Sequence, residues 1–201
     1  MSDTTRERLL VAARGLFAER GFDGVSIALI ASELGITKQA LLHHFGSKEK
    51  LYGEVLKRIS DEFAELRADR VMAEWQPVRA LQSYFAKLIP TGPDQTQSCR
   101  LLMRELLDNH RRAETAQNWY LSDFLEGLIA MVQRVPGWES ATRMQALAFA
   151  YQIFGSINYF AVSGPTRLAI LGKGEAAELN AAFGPQLDTL IETGLANPPA
   201  Q

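Results

Sequence analysis

Residues 26–45 read SIALIASELGITKQALLHHF, and this stretch constrains the fold more than any other. Ile27, Ile30, Ala31 and Leu34 fall at i, i+3, i+4 and i+7, one face of a helix. Gly35 stops the pattern, and Leu41 and Phe45 resume it one turn apart. Helices this short do not hold in water by themselves; neighbours must clamp them through the apolar face. A chain carrying such a pair is built from packed helices. The polar residues between, Lys38, Gln39, His43 and His44, are not explained by packing.

The remainder agrees. Helical period dominates, and no stretch alternates as a strand does. The spacing predicts nine helices, at about 4–20, 27–34, 38–44, 48–70, 77–90, 95–110, 113–134, 140–163 and 175–195. Ser26, Thr37 and Ser47 are the predicted N-caps, and Pro77, Pro90, Pro93, Pro136, Pro165 and Pro185 punctuate the later part. Gly184-Pro185 falls within the last helix and predicts a kink or a later start there. The expected fold is all-α: a three-helix helix-turn-helix domain at residues 1–50, helix 48–70 as connector, and a larger helical domain at 51–201.

Laid out at about 100° per residue, the 38–44 helix turns Leu41 and Phe45 inward. Gln39 and His43 then face outward, with Lys38, Ala40 and Leu42 on the flanks. Gly35-Ile36 sets this helix at a steep angle to the one before, the geometry that puts a helix N-terminus into a DNA major groove. Gln donates and accepts across an adenine edge, Lys donates to guanine O6 and N7, and a small Ala approaches a thymine methyl. Capped helix starts at Ser26, Thr37 and Ser47 present backbone N–H groups toward phosphate, and Lys48 adds charge. The same pattern also suits an ordinary solvated face of an all-α protein.

Composition removes other classes. Residues 1–58 carry nine Lys/Arg against seven Asp/Glu, and the rest twelve against sixteen, a mildly basic head on an acidic body. Cys99 is the only cysteine, so no intrachain disulfide forms and a cytoplasmic home is expected. The start, MSDTTRERLL, is not that of a signal peptide, and no window approaches the ~20 apolar residues of a membrane span. No G-x-S-x-G or phosphate-cradling glycine loop occurs. Glu105, Asp108 and His110 read as solvated, not catalytic. Adjacent His43 and His44 point about 100° apart and do not chelate together. No enzyme activity, cofactor or metal is expected.

The stretch RERLLVAARGLFAERGFDGVSIALIASELGITKQALLHHFGSKEKLY, about residues 6–52, strongly resembles the DNA-binding domain of the TetR family of bacterial transcriptional repressors. The segments AARGLFAERGFDGVSI, IASELGIT and HHFGSKEKL stand in that family's order and spacing. The resemblance implies an all-α homodimer with two DNA-binding heads on a C-terminal ligand-binding and dimerisation domain. Carried over by position, Lys38, Gln39, Ala40 and His43 are base-reading, and Ser26, Thr37, His44 and Lys48 face phosphates. Leu42 stands where the family usually has a Tyr that touches the DNA backbone, and Leu donates no hydrogen bond.

In the body, aromatic residues recur on consecutive helices, as a core requires or as the wall of an apolar cavity. Arg104, Asn118, Trp119, Phe124, Tyr151, Phe154 and Asn158 are the expected ligand-pocket residues. The 140–163 helix is apolar on nearly every side, which asks for burial all round. Pairing it and the last helix with their mates across a two-fold axis supplies that burial, with Leu147, Tyr151, Phe154, Leu187, Leu190 and Ile191 at the interface and Ala146, Ala148, Ala150 and Gly155 allowing close approach. The expected partners are a near-palindromic double-stranded operator, a small-molecule effector and a second copy, with no membrane. The expected function is a transcriptional regulator, a repressor released by a hydrophobic or aromatic ligand. The alternative is an α-helical carrier or enzyme with a non-functional head.

Overall fold

Hydroxyl residues, prolines and glycines set the helix ends. The computed structural model describes residues 2–73, 76–108 and 122–199. Its helices are α1 (Ser2–Arg20), α2 (Ile27–Glu33), α3 (Lys38–Phe45), α4 (Lys48–Ala73), α5 (Pro77–Leu88), α6 (Pro93–Asp108), α7 (Ser122–Gln133), α8 (Arg143–Val162) and α9 (Gly164–Leu195). No strand occurs among the described residues.

Local chemistry moves several boundaries from the predicted ones. Pro77 and Pro93 each open a helix, where proline's missing N–H costs nothing. Thr142 and Gln145 form a reciprocal capping box, so α8 begins at Arg143 rather than near 140. The last helix begins at Gly164, well before 175, and breaks at Gly172, whose φ of 74° and ψ of 176° only glycine adopts readily. Non-helical backbone falls at Gly172 and not at Gly184-Pro185. Gly184 has no Cβ to meet the proline ring, which relieves one of the clashes that Pro185 brings into a helix.

The chain divides into two units, Met1–Asp61 with Gly92–Leu121, and Glu62–Thr91 with Ser122–Gln201. The division is not linear in sequence, because α6 packs on α1. In the first unit Leu9, Ala13, Phe17, Ile30, Leu41, Leu51 and Leu101 are fully buried. The rings of Phe17, Phe22 and Tyr52 meet at centroid distances of 6.1, 4.9 and 5.0 Å. Glu105 is buried rather than solvated, and Tyr52 donates to its Oε2 at 2.6 Å. His110 lies outside the described residues. Arg104 donates to Ala18 O (2.9 Å) and Glu19 O (2.7 Å), closing the orphan carbonyls at the end of α1.

In the second unit α5 buries Ala80, Leu81, Tyr84, Phe85 and Leu88, one amphipathic face. α8 packs on α7 and α9. A Cβ at Gly194 would come within 2.6 Å of the Phe149 ring, so α9 approaches α8 closely there. Trp138 Nε1 donates to Leu195 O at 2.9 Å and ties the turn after α7 to the end of α9.

Candidate nucleic-acid interface

The head displays its short helix by clamping it from behind. Ser26 Oγ accepts from Leu29 N–H and Thr37 Oγ1 from Ala40 N–H, both at 3.1 Å, and Ser47 Oγ accepts from Lys50 N–H at 3.2 Å. Each hydroxyl is an acceptor here, and its own proton stays available for a phosphate oxygen. Gly35 turns the chain at φ 65°, with nothing within 4 Å of a Cβ built there, so dihedral and not space calls for glycine. Ile27, Ile30 and Ala31 of α2 and Leu41 and Phe45 of α3 are buried.

What remains outside is polar. Lys38, Gln39 and His43 are exposed; Ala40, Leu42 and His44 are half-buried beside them. The rings of His43 and His44 sit 6.0 Å apart in the last turn of α3. Ser26, Lys38 and Lys48 line one open depression of about 450 Å³ whose floor is residues 23–29. Two ammonium groups and a hydroxyl in one concavity make a seat for an anionic backbone. Asp23 also lines it and moderates the charge.

Residues outside the predicted set shape this surface. The Lys48 ammonium lies 4.1 Å from the Phe22 ring centroid, a cation–π contact that aims it without neutralising it. Arg6 covers the Phe45 ring at 5.1 Å and pairs with Glu54 of α4, and Glu7 pairs with Arg58. These links join α1 to the helices behind α3. No local periodicity announces them, because the partners are far apart in sequence.

The expected pocket residues are divided between the two units. Arg104 belongs to the first unit, capping α1, whereas Phe124, Tyr151, Phe154 and Asn158 belong to the second. Asn118 and Trp119 lie outside the described residues. Phe124, Phe154 and Phe63 meet ring to ring at 4.9 to 6.1 Å. Tyr151 is 44% exposed and turns outward. Of the expected dimer residues, Leu187 and Ile191 are buried within their own unit, Leu147 and Phe154 are half-buried, and Tyr151 and Leu190 face out. Ala146 and Ala150 are likewise buried, while Ala148 and Gly155 are exposed. α8 is therefore not buried all round: Met144, Tyr151 and Tyr159 are 58, 44 and 71% exposed. Among the described residues no group of three or more His, Cys, Asp or Glu could hold a metal ion.

A glycine-turned pair of short helices, its second member polar outward and flanked by lysines, defines an all-α helix-turn-helix DNA-binding regulator. Residues 9–55 match the model of the bacterial regulatory proteins, tetR family. The regulator RutR of Escherichia coli K12 is 29% identical over 176 residues, 83% of this chain and 78% of that one. A transcriptional regulator from Rhodococcus sp. Rha1 superposes with a TM-score of 0.69 at 21% identity over 94% of both chains. The ketosteroid transcriptional regulator KstR2 of Mycobacterium tuberculosis does so with 0.64 at 20% identity, also over 94% of both. Residues 9–55 thus carry a DNA-binding segment of the tetR-family kind, and the chain is similar to regulators of that family over most of its length. Like these relatives it is a DNA-binding transcriptional regulator and not an enzyme.

Proposed function

We propose that the chain is a cytoplasmic, homodimeric repressor that leaves a near-palindromic operator when a small hydrophobic or aromatic ligand binds. The observation that carries this is the exposed edge of Lys38, Gln39 and His43 on a helix held by Leu41 and Phe45, beside the Ser26–Lys38–Lys48 depression. Lys38, Gln39, Ala40 and His43 read bases; Ser26, Thr37, His44 and Lys48 meet phosphates. Leu42, half-buried among them, offers a thymine methyl or a sugar an apolar contact instead of a hydrogen bond.

Residues 1–50 act as the DNA-binding domain, 51–201 as the effector and dimerisation domain, with helix 48–70 as connector. A second copy is supported by the stripe Met144, Ala148, Tyr151, Gly155 and Tyr159, exposed at helical spacing along α8, and by exposed Leu179 and Leu190 on α9. Two-fold pairing of these faces sets two α3 helices on half-sites about one DNA turn apart. A ligand releases DNA only to the extent that it prefers another spacing of the heads.

Fluorescence anisotropy with duplex DNA from upstream of the chain's own gene tests the reading. Specific binding is expected, with Gln39→Ala and His43→Ala each altering sequence preference. A wild-type protein that binds this and scrambled DNA equally overturns it.

A further inference from the structure

Asn158 of α8 is 3% exposed, one turn beyond Phe154 and on the same side of the helix. Its Nδ2 donates to Phe154 O at 2.8 Å, which fixes the amide and assigns its nitrogen end. Its Oδ1 is buried and has no hydrogen-bond partner. Orphan acceptors of this kind are few in folded proteins, because a buried amide oxygen without a donor is costly and a leucine would fill the space without that cost.

Phe154, whose carbonyl holds the amide, belongs to an aromatic cluster. The Phe154 ring stands 4.9 Å from Phe124 and 6.1 Å from Phe63, and these two are 5.0 Å apart. Phe124 is fully buried, whereas Phe154 keeps some exposure. Three donors of this unit are engaged elsewhere: Tyr84 donates to Phe63 O at 3.2 Å, Arg67 to Asp123 O at 3.2 Å, and Ser156 to Ile153 O at 2.7 Å, while Arg167 Nε is buried without an acceptor at the end of α8. Residues 154–162 include no cation. A bare amide oxygen accepts from a hydroxyl or N–H and repels a carboxylate oxygen, which has no proton to give.

We propose that Asn158 Oδ1 is the polar anchor of the effector site, and that the effector is an uncharged aromatic molecule whose hydroxyl or ring N–H donates to it while its ring lies against Phe154, Phe124 and Phe63. This rests on the reading of residues 51–201 as the effector domain, and it names the class of molecule that domain takes. Phe154 supplies shape and area; Asn158 supplies the selection between a donor and its blocked analogue.

The test uses the full chain and two matched probe pairs, 2-naphthol with 2-methoxynaphthalene and indole with 1-methylindole, titrated by calorimetry. At least one donor is expected to bind about tenfold or more tighter than its methylated partner, the usual reach of one buried hydrogen bond. Asn158→Leu is expected to bring that pair within about twofold, and Phe154→Leu to weaken both members while keeping their ratio. Saturable binding by neither donor, equal binding within both pairs, or a preference that survives Asn158→Leu overturns the proposal. Should Asn158→Leu fail to fold, the wild-type pairs and Phe154→Leu decide alone. Anisotropy on the promoter duplex separates this proposal from the repressor reading. A donor that binds through Asn158 without releasing DNA supports the site and overturns ligand-controlled release. Release by donor and methylated partner alike does the reverse.

Discussion

At the level of single residues, charge and discrimination separate. Lys48 is aimed by the Phe22 ring and faces a depression, not a base edge. Lys48→Ala is therefore expected to weaken all DNA sequences alike and to lower the salt slope of binding by about one ion, read from anisotropy at several salt concentrations. Gln39→Ala should instead relax preference at one base pair, by about 1–3 kcal/mol. Cys99 lies deep in the first unit, and burial pushes its thiol up to about 11. It stays protonated and inert to thiol reagents at neutral pH while the chain is folded. Its folded value lies above the ordinary 9.0, so above pH 9 the unfolded chain releases a proton that the folded chain retains, and stability falls as pH rises toward 11. Thermal melts at pH 8 and 10.5 should show a smaller alkaline loss in Cys99→Ala than in the wild type. The polar edge of α3 was legible because it needs only the helical repeat. The Lys48–Phe22 contact was not, because it needs two elements brought together.

Among the elements, α2 and α3 depend on their ends. Thr37→Ala removes the hydroxyl that accepts from Ala40 N–H and should cost about 1 kcal/mol in chemical denaturation. Gly35→Ala meets no atom, so its cost is that of the left-handed dihedral alone, about 1 kcal/mol. Gly194→Ala differs in kind. The new methyl would lie 2.6 Å from Phe149, and the α8–α9 contact must open, at about 1–3 kcal/mol. Caps and turns of the head could be read in the chain because each bond spans three or four residues. The start of α9 could not. Residues 164–171 carry Gly, Pro and Thr, which read as a loop, yet they form helix up to the break at Gly172. There Arg167 caps the end of α8 by donating to Phe160 O and stacks on the Phe160 ring at 3.7 Å.

For the whole molecule, the question is which apolar residues of α8 and α9 serve the core and which stay at the surface. Leu187 and Ile191 are 4 and 0% exposed, and Leu190 is 53%. Leu190→Glu and Tyr151→Glu are expected to leave far-UV circular dichroism unchanged and to give monomers in analytical ultracentrifugation, with much weaker operator binding. Leu187→Glu should lose the fold itself, since an unpaired carboxylate would be buried. No helix among the described residues is long and apolar enough to cross a membrane, so the exposed stripe is not a membrane span.

The residue order by itself determined the helices, most of their caps, the glycine turn and the outward edge of α3, since all of these arise from interactions within a turn or two. Only the tertiary structure decided that Arg104 closes the end of α1, that Leu187 and Ile191 turn inward, and that Phe63 joins Phe124 and Phe154. A residue on an all-apolar helix has no local signal for its partner. Its neighbour is selected by how distant helices fill space against one another.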